Sequence, residues 1–485
     1  MSSEMEEVPL RPTGHMERFN ILRNHVKFYN KFGVTASYTV ARSLLASNSL
    51  EQVIYAALRE VLNQHPIMGV TVQDEAAIEP KWIRLPTVDF RRLVKVVDAD
   101  LGASWDSWTR DALRAPFVVV DDLPMWRIVV ARGKSTGKDA ETFAVGFFCH
   151  HAIADGTSAG AFQLTFLDAL NELIEGKIKS VSDIEEEAVI PVPKLPLIPN
   201  MEMKTALPVG IFFALKKIFS TYVWSTEDPL NWSGSLISAE APRPPINNLR
   251  SFSLSSDVVG ALLKRCRKEN TSITALLTIL VARKLAVMYP SYTHFTGNIP
   301  FSLRKFTGHS NRDMGCYVSN LTPYFSSQER PPWGYISCRS MSSDKPEQDD
   351  GKLWEGARAS KKEIDEGTAT ASDQNVGMLK FVSDYNKFFY GKLGKKRDHA
   401  FEVTNIGVLD GGVGGGGGEE KACFDRVQFS TAQCTYADPY IFSIASAKNG
   451  FMTVSLSWAT GVLDDDEAVE MIEWLEGALK GLSEA

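Results

Sequence analysis

The sequence contains few cysteines, and their spacing excludes two classes of protein. No two of them form a Cys-x-x-Cys pair, so neither a disulfide scaffold nor a structural zinc site is indicated. We interpret all of them as free thiols and predict no bound metal ion. Cys149 lies beside a pair of histidines, but it ends an apolar run and is interpreted as a small buried residue. The six cysteines are Cys149, Cys266, Cys316, Cys338, Cys423 and Cys434.

The sequence also lacks a concentration of positive charge. Its 52 basic and 59 acidic residues give a net charge of −7, and no stretch interleaves basic with aromatic residues, so no nucleic acid partner is expected. The start, Met-Ser-Ser-Glu-Met-Glu-Glu, lacks the layout of a secretion signal. No apolar run approaches the roughly 18 residues that a membrane span needs. We therefore expect a soluble, cytoplasmic protein that is a monomer.

Apolar residues are abundant: they form 44% of the 485 residues and can bury a large core. In residues 1–180 short apolar runs alternate with helical stretches, which is typical of an α/β unit. Residues 181–248 are rich in proline and predict a crossover linker, and residues 249–485 predict a second, similar unit. The predicted helices are Ser49–Gln64, Gly156–Leu173, Ser256–Asn270, Ser272–Met288 and a last one that begins near Asp464. The predicted strands are Val34–Arg42, Met125–Arg132, Thr142–Cys149, Ser251–Leu254, Thr293–Phe301, Val427–Thr431, Tyr440–Ala447 and Met452–Trp458.

Two further segments have an unusual composition. Val209–Trp224, in the linker, is apolar with two lysines, and such a helix can lie on a lipid surface, for example that of a lipid droplet or the endoplasmic reticulum. Packing against the protein's own body is the interpretation that we favour. Gly411–Gly418 lacks the Gly-Lys-Ser/Thr ending of a phosphate-binding loop, so we predict a mobile surface loop there.

The strongest functional signal is the run His150-His151-Ala-Ile-Ala-Asp155-Gly156. It lies between the predicted strand that ends at Cys149 and the predicted helix that follows, whose start Asp155 or Thr157 can cap. An imidazole can take a proton from a hydroxyl near neutral pH, because its ordinary pKa is about 6.5. The aspartate can orient the ring or pair with an arginine elsewhere, and the glycine allows a sharp turn. A metal site is disfavoured, because no third ligand is evident near His151 and Asp155.

A second pattern overlaps the first. Gly156-Thr-Ser158-Ala-Gly160 matches Gly-x-Ser-x-Gly, the nucleophile elbow of serine esterases. In such an elbow the strand runs straight into the first glycine, whereas here six residues lie between them. We keep a serine esterase using Ser158 as the alternative function.

The histidine motif resembles the His-His-x-x-x-Asp-Gly signature of the CoA-dependent acyltransferase superfamily, which includes chloramphenicol acetyltransferases and peptide-synthetase condensation domains. Within it the chain is most similar to fungal alcohol O-acetyltransferases. The plant signature Asp-Phe-Gly-Trp-Gly is absent, and Gln64 precedes His65 where condensation domains often have arginine. The segments that support the resemblance are Met16–Asn30, Leu62–Pro66, Asn298–Arg304 and Met314–Ser319.

The resemblance implies an α/β fold of two chloramphenicol acetyltransferase-like sandwich units that face each other across a central tunnel. It implies that His151 is the general base and that Asp155 is structural, turned away from the substrates, while Gly156 frees the turn. Arg304 is our candidate for the partner of Asp155, and His150 is expected to shape the loop. Donors to the oxyanion are sought among Ser302, Tyr317, Thr404 and Asn405.

The implied reaction is transfer of an acetyl or other short acyl group from acetyl-CoA, or another acyl-CoA, to a small-molecule alcohol, without a bound cofactor. A carrier-protein donor stays open. So does a non-catalytic relative that keeps the fold and binds a ligand, since fold does not fix function.

Overall fold

The computed structural model describes residues 10–46, 48–102, 105–133, 140–183, 187–219, 228–241, 243–328, 336–337, 351–414 and 421–484. The strands, numbered in chain order, are β1 (Phe32–Ala41), β2 (Val70–Gln73), β3 (Lys81–Arg84), β4 (Thr87–Asp89), β5 (Val94–Asp98), β6 (Trp126–Arg132), β7 (Ala140–Cys149), β8 (Val189–Pro191), β9 (Asn231–Trp232), β10 (Asn247–Leu254), β11 (His294–Ser302), β12 (Val318–Leu321), β13 (Tyr324–Ser326), β14 (Ile336–Ser337), β15 (Phe401–Leu409), β16 (Cys423–Thr431), β17 (Tyr440–Ala447) and β18 (Met452–Ala459).

The helices are numbered in the same way. Ser49 begins one of them with a capping box, because its hydroxyl accepts a hydrogen bond from the Gln52 amide and the Gln52 side chain accepts one in return. The α-helices are α1 (His15–His25), α2 (Arg42–Ala46), α3 (Leu50–Gln64), α4 (Trp105–Arg114), α5 (Gly156–Ile174), α6 (Met201–Lys204), α7 (Ile211–Phe219), α8 (Ser256–Lys268), α9 (Ile273–Met288), α10 (Arg304–Thr307), α11 (Gly351–Thr368), α12 (Tyr385–Tyr390) and α13 (Asp465–Glu484). The 3-10 helices are Pro66–Gly69, Phe90–Arg92 and Asn375–Phe381.

Two large sheets organise the fold. The first has the order β16-β1-β7-β6-β5, with β5 parallel to β6 and the other neighbours antiparallel. The second has the order β10-β18-β17-β15-β11-β13-β14, in which β15 is parallel to both β17 and β11. β9 and β12 also pair with β11, while β2 pairs with β3 and β4 with β8. The predicted mixed α/β architecture is confirmed.

Each sheet has its own apolar core. Helices α3 and α5 pack on the first sheet, and α8, α9 and α13 pack on the second. A third cluster contains side chains of α1, α4 and α12 together with Phe148 of β7 and Leu249 of β10, so it joins the two units. Among the described helices none is by itself long and apolar enough to cross a membrane. Of these described helices, only α8 and α9 taken together have the required length and composition, and these two helices meet at an angle of 89°.

One strand lies in a different sheet from the one we predicted. We placed Val427–Thr431 in the second unit, but β16 pairs with β1 in the first sheet, with Thr431 opposite Phe32 and Val427 opposite Ala36. The reason is that β1 is buried along most of its length, so the amides and carbonyls on both of its edges need partners, and local sequence does not reveal which distant strand supplies the second edge. The limits 1–180, 181–248 and 249–485 stay a prediction.

The linker helix also differs from the favoured interpretation. Ile211, Phe212 and Leu215 of α7 are 70%, 85% and 56% exposed, so this face does not pack against the described part of the protein. Residues 220–224 of the predicted segment lie outside the described residues, as do Gly415–Gly418 of the glycine-rich loop. Cys338 lies outside them too, and the other five cysteines are free thiols.

Candidate active site

The histidine loop, residues 150–155, connects the end of β7 to the start of α5. Asp155 caps that helix, because its carboxylate accepts a hydrogen bond of 2.8 Å from the Ser158 amide. The loop begins with the His150 amide, which donates to the carbonyl of Met125 at the start of the neighbouring strand. Both ends of the loop are therefore held by the first unit's own secondary structure.

His151 is half-buried and has contacts from both units. Its ring lies 4.8 Å from the Phe32 ring, measured between centroids. Asn20 of α1 donates a 3.1 Å hydrogen bond to the His151 carbonyl, and its amide nitrogen lies 3.5 Å from the ring Nδ1. The Cys316 sulfur, from the second unit, is 3.9 Å from the same Nδ1. These contacts fix the loop and leave the ring at the junction of the units.

The protonation state of His151 follows from its surroundings. Burial lowers its pKa to about 4, and the nearby Arg23 guanidinium acts in the same direction. The backbone carbonyls of His151 and Ala154 and the Asp155 carboxylate oppose this shift but do not reverse it. The imidazole is therefore neutral near pH 7 and able to accept a proton.

Asp155 forms a buried ion pair with Arg304. The guanidinium donates to both carboxylate oxygens, at 2.7 and 3.0 Å, and each of the two residues is only 3% exposed. Burial alone would raise the pKa of Asp155, but Arg304 and the amides of Tyr317 and Ser158 keep it below its usual value. The pair joins the histidine loop of the first unit to α10 of the second.

Ser158 belongs to the same network. It is fully buried, its hydroxyl donates toward the Gly315 carbonyl at 2.7 Å, and it lies 2.9 Å from both Asp155 and Arg304. A nucleophilic serine must be reachable by substrate and hydrogen-bonded to a base such as histidine. Ser158 is not reachable, no histidine among the described residues contacts its hydroxyl, and the nearby Asp155 carboxylate is already paired with Arg304, so we reject the serine esterase alternative.

His150 is 1% exposed and accepts a hydrogen bond at Nδ1 from the Ala152 amide, which stabilises the tight loop. Burial lowers its pKa to about 3, so it is neutral and packs beside Phe117. This placement agrees with a residue that shapes the loop.

Gly156 has a different role from the expected one. Its φ is not in the left-handed region, so the turn itself does not require glycine. A Cβ atom at this position would lie 2.5 Å from Cγ2 of Ile406 and 3.1 Å from the Phe429 ring. Glycine is needed because β15 and β16 approach the start of α5 closely.

The four candidate oxyanion donors have different partners. Ser302 accepts from the Arg304 amide at 3.2 Å, and the Tyr317 hydroxyl donates to the Pro199 carbonyl at 2.6 Å, away from His151. Asn405 donates to Thr274 at 3.0 Å and accepts from the Gly407 amide at 2.8 Å. In the part of the chain that the structure describes, the Thr404 hydroxyl is the one of the four without a hydrogen-bond partner.

Three further residues contact the site, namely Asn20, Arg23 and Cys316, and all of them lie in the segments that support the family resemblance. Arg23 donates to Asn20 at 2.7 Å, and its guanidinium lies 4.1 Å from the centre of the Tyr29 ring. Burial raises the pKa of the Cys316 thiol, so it is neutral and unreactive. Within the described residues, no group of three His, Cys, Asp or Glu side chains could hold a metal ion.

Comparison with known proteins identifies the family. The sequence model of the alcohol acetyltransferase family matches residues 99–479. The chain belongs to the alcohol acetyltransferase family. It is 25% identical over 471 residues to a probable alcohol acetyltransferase of Aspergillus fumigatus, with 93% of this chain and 95% of the relative covered. It is 24% identical to a probable alcohol acetyltransferase of Fusarium pseudograminearum, with 98% and 95% covered.

Several solved structures share the fold of this chain. The trichothecene 15-O-acetyltransferase of Fusarium sporotrichioides superposes with a TM-score of 0.67 at 13% identity, covering 97% of this chain and 94% of that one. The first condensation domain of the CDA synthetase gives a TM-score of 0.61 at 12% identity, covering 98% and 96%. The predicted chloramphenicol acetyltransferase-like fold is confirmed, and family membership supports an acyltransferase enzyme acting on small molecules.

Proposed function

We propose that this protein is an acyl-CoA-dependent alcohol O-acyltransferase in which His151 is the general base. The observation that carries the proposal is a neutral imidazole at the junction of the two units, in a chain of the alcohol acetyltransferase family. The Asp155–Arg304 pair supports it, because Asp155 holds the loop and leaves the ring free for substrate.

In the proposed reaction, His151 takes the proton of the acceptor hydroxyl while the alcohol oxygen attacks the carbonyl carbon of the thioester. The tetrahedral oxyanion is stabilised by a hydrogen bond, for which Thr404 is the preferred donor because its hydroxyl has no other described partner. The carbon–sulfur bond then breaks, and the CoA thiolate takes the proton from His151. No covalent enzyme intermediate is formed.

We propose further that the donor and the alcohol reach His151 from opposite openings between the units, formed by residues 1–180 and 249–485 on either side of the linker. The contacts of His151 with Phe32 of the first unit and Cys316 of the second support this arrangement. Acetyl-CoA is the preferred donor, since family membership implies an acetyl group.

We also propose a monomeric, cytoplasmic enzyme whose α7 contacts a lipid surface, such as a lipid droplet or the endoplasmic reticulum. The exposed apolar side chains Ile211, Phe212 and Leu215, with Lys217 on the same helix, support it. Co-flotation with phosphatidylcholine–phosphatidylserine vesicles tests it: Phe212→Asp should reduce the bound fraction. No flotation of the unaltered chain would refute lipid contact.

The function itself is tested by release of free thiol from acetyl-CoA, butyryl-CoA and longer acyl-CoA donors against a library of alcohols and amines, with product masses recorded. We expect an ester product with at least one alcohol and its loss in His151→Ala. Binding of acetyl-CoA without thiol release would support a non-catalytic relative, and release that persists in His151→Ala would refute the assigned base.

A further inference from the structure

A carboxyl group that the proposed reaction does not use lies on the strand that carries Thr404. Phe401 and Val403 of β15 point into the second core, so Glu402 and Thr404 point to the opposite face of the sheet. Residues two apart on one face are separated by about 7 Å. Ile406, two residues beyond Thr404, contacts Gly156 of the histidine motif. Glu402, Thr404 and Ile406 therefore lie in one row on the same face of β15, and the Ile406 end of this row contacts the histidine motif.

A directional chain of amide groups holds one oxygen of Glu402. Asn375 donates to the Asn320 side-chain oxygen at 3.3 Å, Asn320 donates to Asn298 at 2.7 Å, and Asn298 donates to Oε2 of Glu402 at 2.7 Å. The side-chain oxygens of Asn320 and Asn298 each accept from the preceding amide, so the orientations of the three amides agree. Oε1 has no hydrogen-bond partner among the described residues, and the side chain is only half-buried. One oxygen is anchored and the other is open.

The charges around this group set its protonation state. Burial and the nearby Asp438 raise the pKa of Glu402 to about 8, against the opposing effects of His399 and Arg23. Near pH 7 the carboxyl group is therefore mainly neutral. A neutral carboxyl group can donate one hydrogen bond as well as accept, whereas the ionised form only accepts.

Arg23 connects this group with His151 electrostatically, because its charge lowers the pKa of both side chains. The open Oε1 of the half-buried Glu402 side chain can pair with water or with a ligand. A hydroxyl on a bound acceptor can supply that pairing, since it donates and accepts, whereas an alkyl chain cannot.

We propose that Glu402, oriented by Asn298, Asn320 and Asn375, recognises a second hydroxyl group of the acceptor, so that the preferred acceptors are diols and polyols. This inference rests on the proposed transfer to an alcohol and names the class of acceptor. Glu402 is then a specificity-determining residue that contacts substrate at a distance from the reacting hydroxyl.

Matched pairs of acceptors, each an alkanol and the diol with the same carbon skeleton, test the inference through the ratio of their kcat/KM values. In the unaltered protein the diol should be favoured by about 2- to 10-fold, the range of one hydrogen bond between neutral groups. Glu402→Leu should bring the ratio close to one, and Glu402→Gln, which keeps a donor, should restore most of it. The effect should fall on the KM of the diol and leave the KM of acetyl-CoA unchanged.

A rise in the KM of acetyl-CoA in Glu402→Leu, with the diol ratio retained, would overturn the inference by assigning Glu402 to the donor. If Glu402→Leu does not fold, the diol preference can be measured by calorimetry as the ratio of the Kd values of the same acceptor pairs. This measurement uses His151→Ala, which binds the acceptors without turnover. Thiol release without a diol preference would refute the proposed class of acceptor and leave the proposed acyl transfer intact. Absence of thiol release with every acceptor would instead refute the proposed function.

Discussion

Replacing Arg304 by methionine removes the cation that pairs with the buried Asp155 carboxylate and keeps an apolar side chain of comparable length. Asp155 would lose the two hydrogen bonds of 2.7 and 3.0 Å and keep those from the Tyr317 and Ser158 amides. Removing one partner of a buried pair leaves an uncompensated charge and costs about 3–5 kcal/mol. We expect Arg304→Met to lower the free energy of unfolding by that amount at pH 7, measured by denaturant titration.

The pH dependence of this loss separates the charge from simple packing. In the unaltered protein the pKa of Asp155 is depressed, so the carboxylate contributes stability above its unfolded pKa of about 4, and this is lost as the pH falls. In Arg304→Met only the Tyr317 and Ser158 amides oppose the effect of burial, so the pKa of Asp155 rises and stability is lost as the pH rises above about 4. The deficit of the variant should therefore be largest near pH 7 and shrink toward pH 4.

An exposed pair provides the control. Arg312 and Asp168 form a 2.6 Å ion pair whose side chains are 44% and 56% exposed, so Arg312→Met should cost less than about 1 kcal/mol. Asp155→Asn combined with Arg304→Met should recover part of the loss, because neither charge is then left alone. A deficit in Arg304→Met no larger than that of Arg312→Met, or one equal at pH 4 and pH 7, would refute the reasoning.

His151→Ala should reduce kcat for thiol release by about 10²- to 10⁴-fold, the range for loss of a general base, whereas His150→Ala should reduce it less than tenfold. The acid limb of the pH profile of kcat/KM should lie near pH 4, because the pKa of His151 is lowered and protonation abolishes the base; a limb near pH 6.5 would contradict its burial. Gly156→Ala should destabilise by about 1–3 kcal/mol through its contact with Ile406, while Gly477→Ala, where a Cβ meets nothing within 4 Å, should not lower the melting temperature.

Local signals in the sequence were sufficient for the parts of the site that neighbouring residues build. The strand that ends at Cys149, the cap at Asp155 and the helix that follows are encoded within about 30 residues, and they agree with the structure. β15 was not predicted, because Gly407 interrupts its apolar pattern. The roles of Asn20 and Glu402 depend on partners more than about 100 residues away in the chain. Tyr317 shows the same limit: its hydroxyl is directed away from His151 by Pro199, which no local pattern reveals.

The position of β16 in the first sheet, although it lies late in the sequence, has a consequence for synthesis of the chain. The first sheet acquires its outer strand only after residue 431 has been made, more than 250 residues after β7 is complete. Until then the edge of β1 presents unpaired amides and carbonyls, which favour aggregation. A fragment that ends at residue 248 should therefore be insoluble when expressed alone, and co-expression of the remaining residues should rescue it, because the second half carries the strand that completes the first.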